Sequence, residues 1–211
     1  MEKFFKYREI DMLNTFDIKR NTDCVVLQNW LKSSFELSDF ENMTLDVTLN
    51  RFERLGIRWN EEELKMHFIS SILNVADPNI DGVCKTFFKR PLEGVVKNYQ
   101  INIVTDCMIA SSRKGGDPDK PYFFLQEFKQ SQRFGRTDPQ GQMLAAMLLA
   151  QKINDDNKYI YGCYVIVNNW YFTTLNGLDY CRSRQFDATQ KTDLVQIVYI
   201  LRELKNLILN R

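Results

Sequence analysis

An apolar run near the middle of the chain, YFFLQEFKQ (residues 122–130), contains two opposite charges, Glu127 and Lys129. In a β-strand, residues two apart face the same side, so Glu127 and Lys129 project together while Phe128 points to the other side. A charge inside so apolar a strand requires a partner, a bound metal or a position in a cleft. The run therefore predicts a buried strand that carries chemically important side chains on one face.

A second strand is predicted upstream of this run. Tyr99, Ile101 and Ile103 alternate with polar residues, and Asp106 lies in the apolar stretch that continues to residue 110. The segment KGGDPDKP (residues 114–121) between the two strands has the glycines and prolines of a turn. Pairing of the two strands as a long hairpin would bring Asp106 beside the charged pair of the first run.

Two helix starts are visible in the sequence. Asn60 is a candidate N-cap, and the acidic residues after it suit the first turn of a helix that we expect to reach about residue 75. Glu61 precedes Leu64 and Phe68 by three and seven positions, so it shares their inward side. The pair Asp138-Pro139 has the form of an N-cap followed by proline at the first helical position, and predicts a helix to about residue 153.

The remaining segments complete an α/β pattern. Residues 1–58 have helical spacing and predict two or three helices, the last ending near Gly56. Residues 159–167 and 170–175 form a second predicted hairpin, and residues 193–209 a terminal helix. We therefore expect a central mixed β-sheet flanked by helices over residues 59–211, with residues 1–58 as a helical N-terminal segment packed on that domain.

Composition excludes several classes of protein. The 211 residues carry 28 basic and 27 acidic side chains, a net charge of +1, so no global basic field recruits nucleic acid and any such contact must be local. The single histidine, His67, excludes zinc sites built from several histidines and has no visible catalytic partner. Carboxylate and lysine chemistry is what remains plentiful.

The expected cellular setting is the cytoplasm. The five cysteines are scattered without a C-x-x-C pair, which predicts reduced, buried thiols. The N-terminal residues lack the apolar stretch of a signal peptide. The longest uninterrupted apolar run is Met143–Ala150, far shorter than the roughly 20 residues that a membrane-spanning helix needs.

Asp106, Glu127 and Lys129 together suggest a metal site. Two neighbouring carboxylates suit a hard cation such as Mg²⁺ (or Mn²⁺), which proteins hold through one or two carboxylates plus water and substrate oxygens. The Lys129 ammonium can orient a water molecule and offset negative charge on a phosphoryl group. The alternative is structural: Asp106 as a buried hydrogen-bonding group, and Lys129 in an ordinary ion pair with Glu127.

The order of these elements resembles the PD-(D/E)XK nuclease superfamily, which has the restriction-endonuclease-like fold. The similarity covers roughly residues 60–180, and WNEEELKMHFI (residues 59–69) looks like the acidic first helix of nuclease domains in type I restriction enzymes. The resemblance implies that Asp106 and Glu127 bind metal, that Lys129 is catalytic, and that Glu61 lies at the edge of the site. It also implies a glutamine on the following helix, for which Gln142 is the match.

The similarity has departures. Thr105, rather than proline, precedes Asp106, and Ala146 replaces the tyrosine that some nucleases place four residues after the glutamine. Gln140 is a second, weaker match for the glutamine. The segments DPQGQMLAAMLLAQ (residues 138–151) and YGCYVIVNNWYF (residues 161–172) also resemble an uncharacterised group of bacterial proteins with this fold.

Several of these residues have structural explanations as well. The helix dipole accounts for an acidic Glu61, and Gln142 can be a polar group within an alanine-rich packing face. Arg133 and Arg136 lie close after Lys129 and are candidate phosphate contacts, or alternatively part of a solvated loop. Lys89 and Arg90 are further basic residues without an assigned place.

These features predict a Mg²⁺- or Mn²⁺-dependent nuclease that hydrolyses DNA phosphodiester bonds, in defence or repair. An RNA-directed nuclease would use the same metal site. The alternative from a different class is a non-catalytic subunit that keeps the nuclease-like fold and binds nucleic acid or another protein. A homodimer or a partner subunit is compatible with either function.

Overall fold

A computed structural model describes residues 7–112, 116–129 and 138–211 of the chain. The helices of this part are α1 (Glu9–Phe16), α2 (Val25–Leu31), α3 (Asp39–Leu55), α4 (Glu61–Leu64), α5 (Ser70–Ala76), α6 (Pro139–Asn154) and α7 (Lys191–Leu209). The strands are β1 (Lys19–Asn21), β2 (Lys85–Val96), β3 (Tyr99–Ser112), β4 (Pro118–Lys129), β5 (Ile160–Ile166), β6 (Asn169–Asn176), β7 (Asp179–Arg182) and β8 (Phe186–Asp187). A 3₁₀ turn, Gly56–Arg58, follows α3, and a π-helical turn, Lys65–Ile69, joins α4 to α5 in one continuous helix.

The strands form one mixed sheet. Seven of them follow the order β1-β7-β6-β5-β4-β3-β2, and β8 pairs with β6. The β4–β5 and β1–β7 pairs are parallel, and the other pairs are antiparallel. A central mixed sheet flanked by helices confirms the predicted α/β fold class.

Helices cover both faces of the sheet. Alternate residues of β5 face opposite sides, since Cys163 and Val165 belong to one buried cluster and Tyr164 and Ile166 to the other. The first cluster also contains buried residues of α2, α3, α5 and α7, and the second those of α1 and α6. No helix within the described ranges is long and apolar enough to span a membrane.

The predicted helix starts are confirmed. The side chain of Asn60 accepts a hydrogen bond from the backbone N–H of Glu63, whose carboxylate in turn accepts one from the Asn60 N–H, which is a capping box. Asp138 accepts a hydrogen bond from the N–H of Gly141, and Pro139 occupies the first turn of α6. These two caps fix where the helices on either side of the β3–β4 hairpin begin.

Two strands depart from the predicted pattern. Residues 1–58 were expected to be helical, yet β1 lies within them and pairs with β7. The sequence did not predict this short strand, because its surface residues carry no alternating apolar pattern. Strand β2 contains Pro91 and was not predicted either. It lies at the edge of the sheet, where proline is tolerated because one side of the strand has no partner.

The prediction of five reduced cysteines is wrong at two positions. Cys24 and Cys181 form a disulfide across 157 residues, with 6.3 Å between their Cα atoms. The β1–β7 pairing places Asn21 opposite Cys181, and Cys24 follows three residues later at the start of α2. Cys84, Cys107 and Cys163 are free and buried, as predicted.

Candidate active site

Asp106 lies on β3 in the interior of the sheet and is 4% exposed. Its Oδ2 accepts a hydrogen bond from the backbone N–H of Phe128 at 2.8 Å. Its Oδ1 accepts hydrogen bonds from the ammonium groups of Lys65, at 3.1 Å, and Lys89. Burial alone would raise the pKa of Asp106, but the Lys89, Phe128 and Lys65 contacts outweigh it and lower that pKa below its ordinary value. Asp106 is therefore a buried, ionised carboxylate.

Glu127 is the next carboxylate across the hairpin. Cys107 pairs with Gln126, so Asp106 and Glu127 occupy adjacent positions on neighbouring antiparallel strands. Glu127 is 1% exposed, and its Oε1 has no hydrogen-bond partner among the described residues. Burial and the negative charge of Asp106 raise the pKa of Glu127 well above its ordinary value, although nearby lysines partly oppose this. Among the described residues, no donor therefore reaches Oε1 of this buried side chain.

Lys129 and Glu61 lie at the more exposed side of the pair. The Lys129 ammonium is 3.8 Å from Oε2 of Glu61, and both side chains are about one third exposed. The capped start of α4 positions Glu61, and β4 positions Lys129 two residues after Glu127. Glu61 therefore points toward the sheet, as predicted, and its ion pair with Lys129 joins α4 to β4.

Lys65 is a residue of this site that the sequence analysis missed. Its ammonium donates to Glu61 at 2.7 Å, to Glu62 at 3.0 Å and to Asp106 at 3.1 Å. Burial alone would lower the pKa of Lys65, but these three carboxylates raise it above its ordinary value. The sequence signal was its spacing four residues after Glu61, which places both on one helix face.

Lys89 is the second missed residue, and it reaches Asp106 from β2. It had been noted only as an unplaced basic residue. Nothing in its local sequence identifies Asp106 as its partner, because the contact depends on the pairing of β2 with β3.

The predicted glutamine and arginines stand apart from this group. Gln142 lies in the first turn of α6 with its Oε1 buried, and no hydrogen bond within the described residues joins it to Asp106, Glu127 or Lys129. Gln140 likewise has a buried Oε1 without a described partner. Arg133 and Arg136 lie outside the described residues.

Asp106 and Glu127 are a pair of neighbouring carboxylates and not part of a larger cluster of candidate metal ligands among the described residues. Within residues 7–112, 116–129 and 138–211, no group of three or more His, Cys, Asp or Glu side chains is placed to hold a metal ion. Asp106 and Glu127 remain a pair of the kind that holds Mg²⁺ together with water and substrate oxygens. Three lysines, Lys65, Lys89 and Lys129, surround this pair.

No protein-family model matches this sequence, and no curated protein matches it either.

Proposed function

We propose that the protein is a Mg²⁺- or Mn²⁺-dependent nuclease that hydrolyses phosphodiester bonds of DNA. One observation carries the proposal: Glu127 is buried beside Asp106, on the same strand face as Lys129, and its Oε1 has no hydrogen-bond partner in the part of the chain that the structure describes. A buried, unsatisfied carboxylate reduces stability, so its presence beside a second carboxylate favours a role in binding a cation.

The residues fit a divalent cation in charge and in donor chemistry. Asp106 and Glu127 both offer carboxylate oxygens, and a bound cation would offset the burial and the Asp106 charge that together raise the pKa of Glu127. Asp106 and Glu127 would hold the ion. When bound, Mg²⁺ would lower the pKa of a water molecule and offset charge on the phosphate.

The remaining residues would position water and substrate. The Lys129 ammonium, about one third exposed, can donate to an attacking water at the mouth of the site. Glu61 would orient Lys129 through their ion pair, and Lys65 would hold Glu61 and Asp106 on either side of its ammonium. Together, these contacts would keep the attacking water at a fixed distance from the two carboxylates.

The proposal also covers the contacts with substrate, the cellular location and the oligomeric state. Arg133 and Arg136 stay predicted phosphate contacts close after Lys129. Gln142 stays a predicted site residue on α6, although no described contact supports it. We propose that the protein acts in defence or repair, alone, as a homodimer or with a partner subunit. The proposed location is the cytoplasm, where the Cys24–Cys181 disulfide would be an exception because thiols there are kept reduced. RNA remains the alternative substrate.

One observation favours a second function, a non-catalytic nucleic-acid-binding or protein-interaction subunit. Every oxygen of Asp106 already accepts a hydrogen bond, from Lys65, Lys89 or the Phe128 N–H. A carboxylate so fully paired can serve structure alone, with the lysines supplying phosphate contacts.

A cleavage assay separates the two functions. Purified protein would be incubated with plasmid, linear duplex, single-stranded DNA and RNA in Mg²⁺, Mn²⁺ or EDTA. We expect metal-dependent cutting of DNA that is lost in Lys129→Ala and retained in Lys97→Ala, a lysine whose described ion pair is with Asp17. Absence of cutting on every substrate, or full activity in Lys129→Ala, would contradict the nuclease assignment and favour the binding subunit.

A further inference from the structure

Lys89 adopts an unusual backbone conformation next to Asp106. Its φ is 50°, in the left-handed region that a lysine rarely adopts, although it lies within β2. Such a conformation is costly and persists only where the surrounding structure requires it, which is common at functional sites.

The unusual backbone coincides with a break in strand pairing. Phe88 pairs with Cys107 and Arg90 pairs with Thr105, but the intervening Lys89 is not paired with Asp106 in the ladder. Instead, the Lys89 ammonium donates to Oδ1 of the Asp106 carboxylate. The left-handed backbone of Lys89 therefore accompanies a side-chain contact with a proposed metal ligand.

The two lysines on Asp106 differ in how firmly they are held. Lys65 is 12% exposed and bonds to three carboxylates. Lys89 is 52% exposed, and Asp106 is its only ion-pair partner among the described residues. An exposed side chain with a single partner exchanges more easily than a buried one with three. Lys89 is thus the cation that can leave Oδ1 while the rest of the site stays intact.

We propose that Lys89 is an exchangeable counter-ion of the metal site. In the metal-free protein its ammonium neutralises Asp106. When a divalent cation binds, Lys89 is released and contacts a phosphate of the nucleic-acid backbone beside the site. The inference rests on the proposed metal site. An ammonium on a flexible stem suits both roles, because it is a compact charge that can donate to a carboxylate or to a phosphate.

Metal binding without substrate tests the first half. Mn²⁺ would be titrated into wild type, Lys89→Met and Lys89→Arg by calorimetry. We expect Lys89→Met to bind Mn²⁺ about three- to tenfold more tightly, because its competitor is gone. Lys89→Arg keeps the charge and should stay close to wild type. Lys85→Met, an exposed lysine of the same strand with no described ion pair, controls for the general loss of one positive charge.

Nucleic-acid binding tests the second half. A Lys129→Ala background keeps the DNA uncut, and duplex binding would be measured in Mn²⁺ over a range of salt. Adding Lys89→Met should weaken binding and reduce the slope of log affinity against log salt by about 0.9, the value expected for one phosphate contact. Adding Lys85→Met should leave the slope unchanged.

The outcomes distinguish the two proposals. If wild type binds Mn²⁺ in a manner that Asp106→Asn abolishes, but Lys89→Met leaves the affinity unchanged or matches Lys85→Met, the role of Lys89 is overturned and the metal site stands. An unchanged salt slope overturns the phosphate contact. If wild type binds no Mn²⁺ that depends on Asp106, the metal site fails and the Lys89 inference fails with it.

Discussion

Asp106 and Glu127 lie side by side on antiparallel strands, yet their environments move their pKa values in opposite directions. Two lysines and a backbone N–H lower the pKa of Asp106, whereas burial and the Asp106 charge raise the pKa of Glu127. Paired carboxylates with diverging pKa values are a common feature of sites that bind cations or transfer protons. In the metal-free protein, the raised pKa of Glu127 can be tested by measuring stability against pH.

Glu127→Gln should stabilise the metal-free protein at neutral pH. Because the folded-state pKa of Glu127 is raised, its stabilising contribution is complete below the ordinary value of 4.5 and is lost as pH rises through the folded-state pKa. At alkaline pH, the free energy of unfolding of the wild type should therefore be lower than that of Glu127→Gln by about 1–3 kcal/mol. This difference in stability should decrease as the pH falls toward 4.5. Urea denaturation in EDTA across this range measures the difference.

Mn²⁺ should reverse this order if Glu127 binds the metal, because an ion that binds only the native state raises the free energy of unfolding by an amount that grows with the logarithm of the ion concentration above its dissociation constant. Wild type would gain stability with added metal and Glu127→Gln would not. An equal gain in stability in both proteins would show that Glu127 does not bind the metal. A difference in stability between the two proteins that does not change with pH would contradict the raised pKa of Glu127.

Lys65→Met should destabilise the protein. The substitution leaves Glu61 and the buried Asp106 without a shared ammonium, and we expect a loss of about 1–3 kcal/mol in the free energy of unfolding. The matched control is Lys191→Met, which removes a more exposed ion pair with Asp46 and should cost about 1 kcal/mol or less. Chemical denaturation compares the two. Equal losses would show that the buried contacts of Lys65 contribute nothing beyond those of a surface pair.

Three of the five cysteines should be free in protein purified without reductant. Alkylation in denaturant followed by mass spectrometry should label Cys84, Cys107 and Cys163, and all five should be labelled after reduction. Because the Cys24–Cys181 bond closes a loop of 157 residues, its reduction should lower stability by about 2–4 kcal/mol. Labelling of five thiols before reduction would show that this bond does not form in the purified protein.

Local signals in the sequence located much of the fold. The Asn60 and Asp138 caps identified the starts of two helices because each cap acts on backbone groups within three residues. The hairpin of β3 and β4 followed from alternation and from the turn residues between the strands, and its register brought Asp106 to Glu127. These are short-range interactions, and the residues that determine them are close together in the chain.

The sequence by itself determined the fold class, the main helices and the Asp106, Glu127 and Lys129 group. Only the tertiary structure decided that β1 pairs with β7, that Cys24 meets Cys181, and that Lys65 and Lys89 converge on Asp106. Lys65 and Lys89 come from a helix and an edge strand that are distant from Asp106 by 41 and 17 positions. Their contact depends on how the elements pack and on the left-handed backbone conformation of Lys89. No local pattern encodes either, because the free energy of such packing is distributed over many residues of the core.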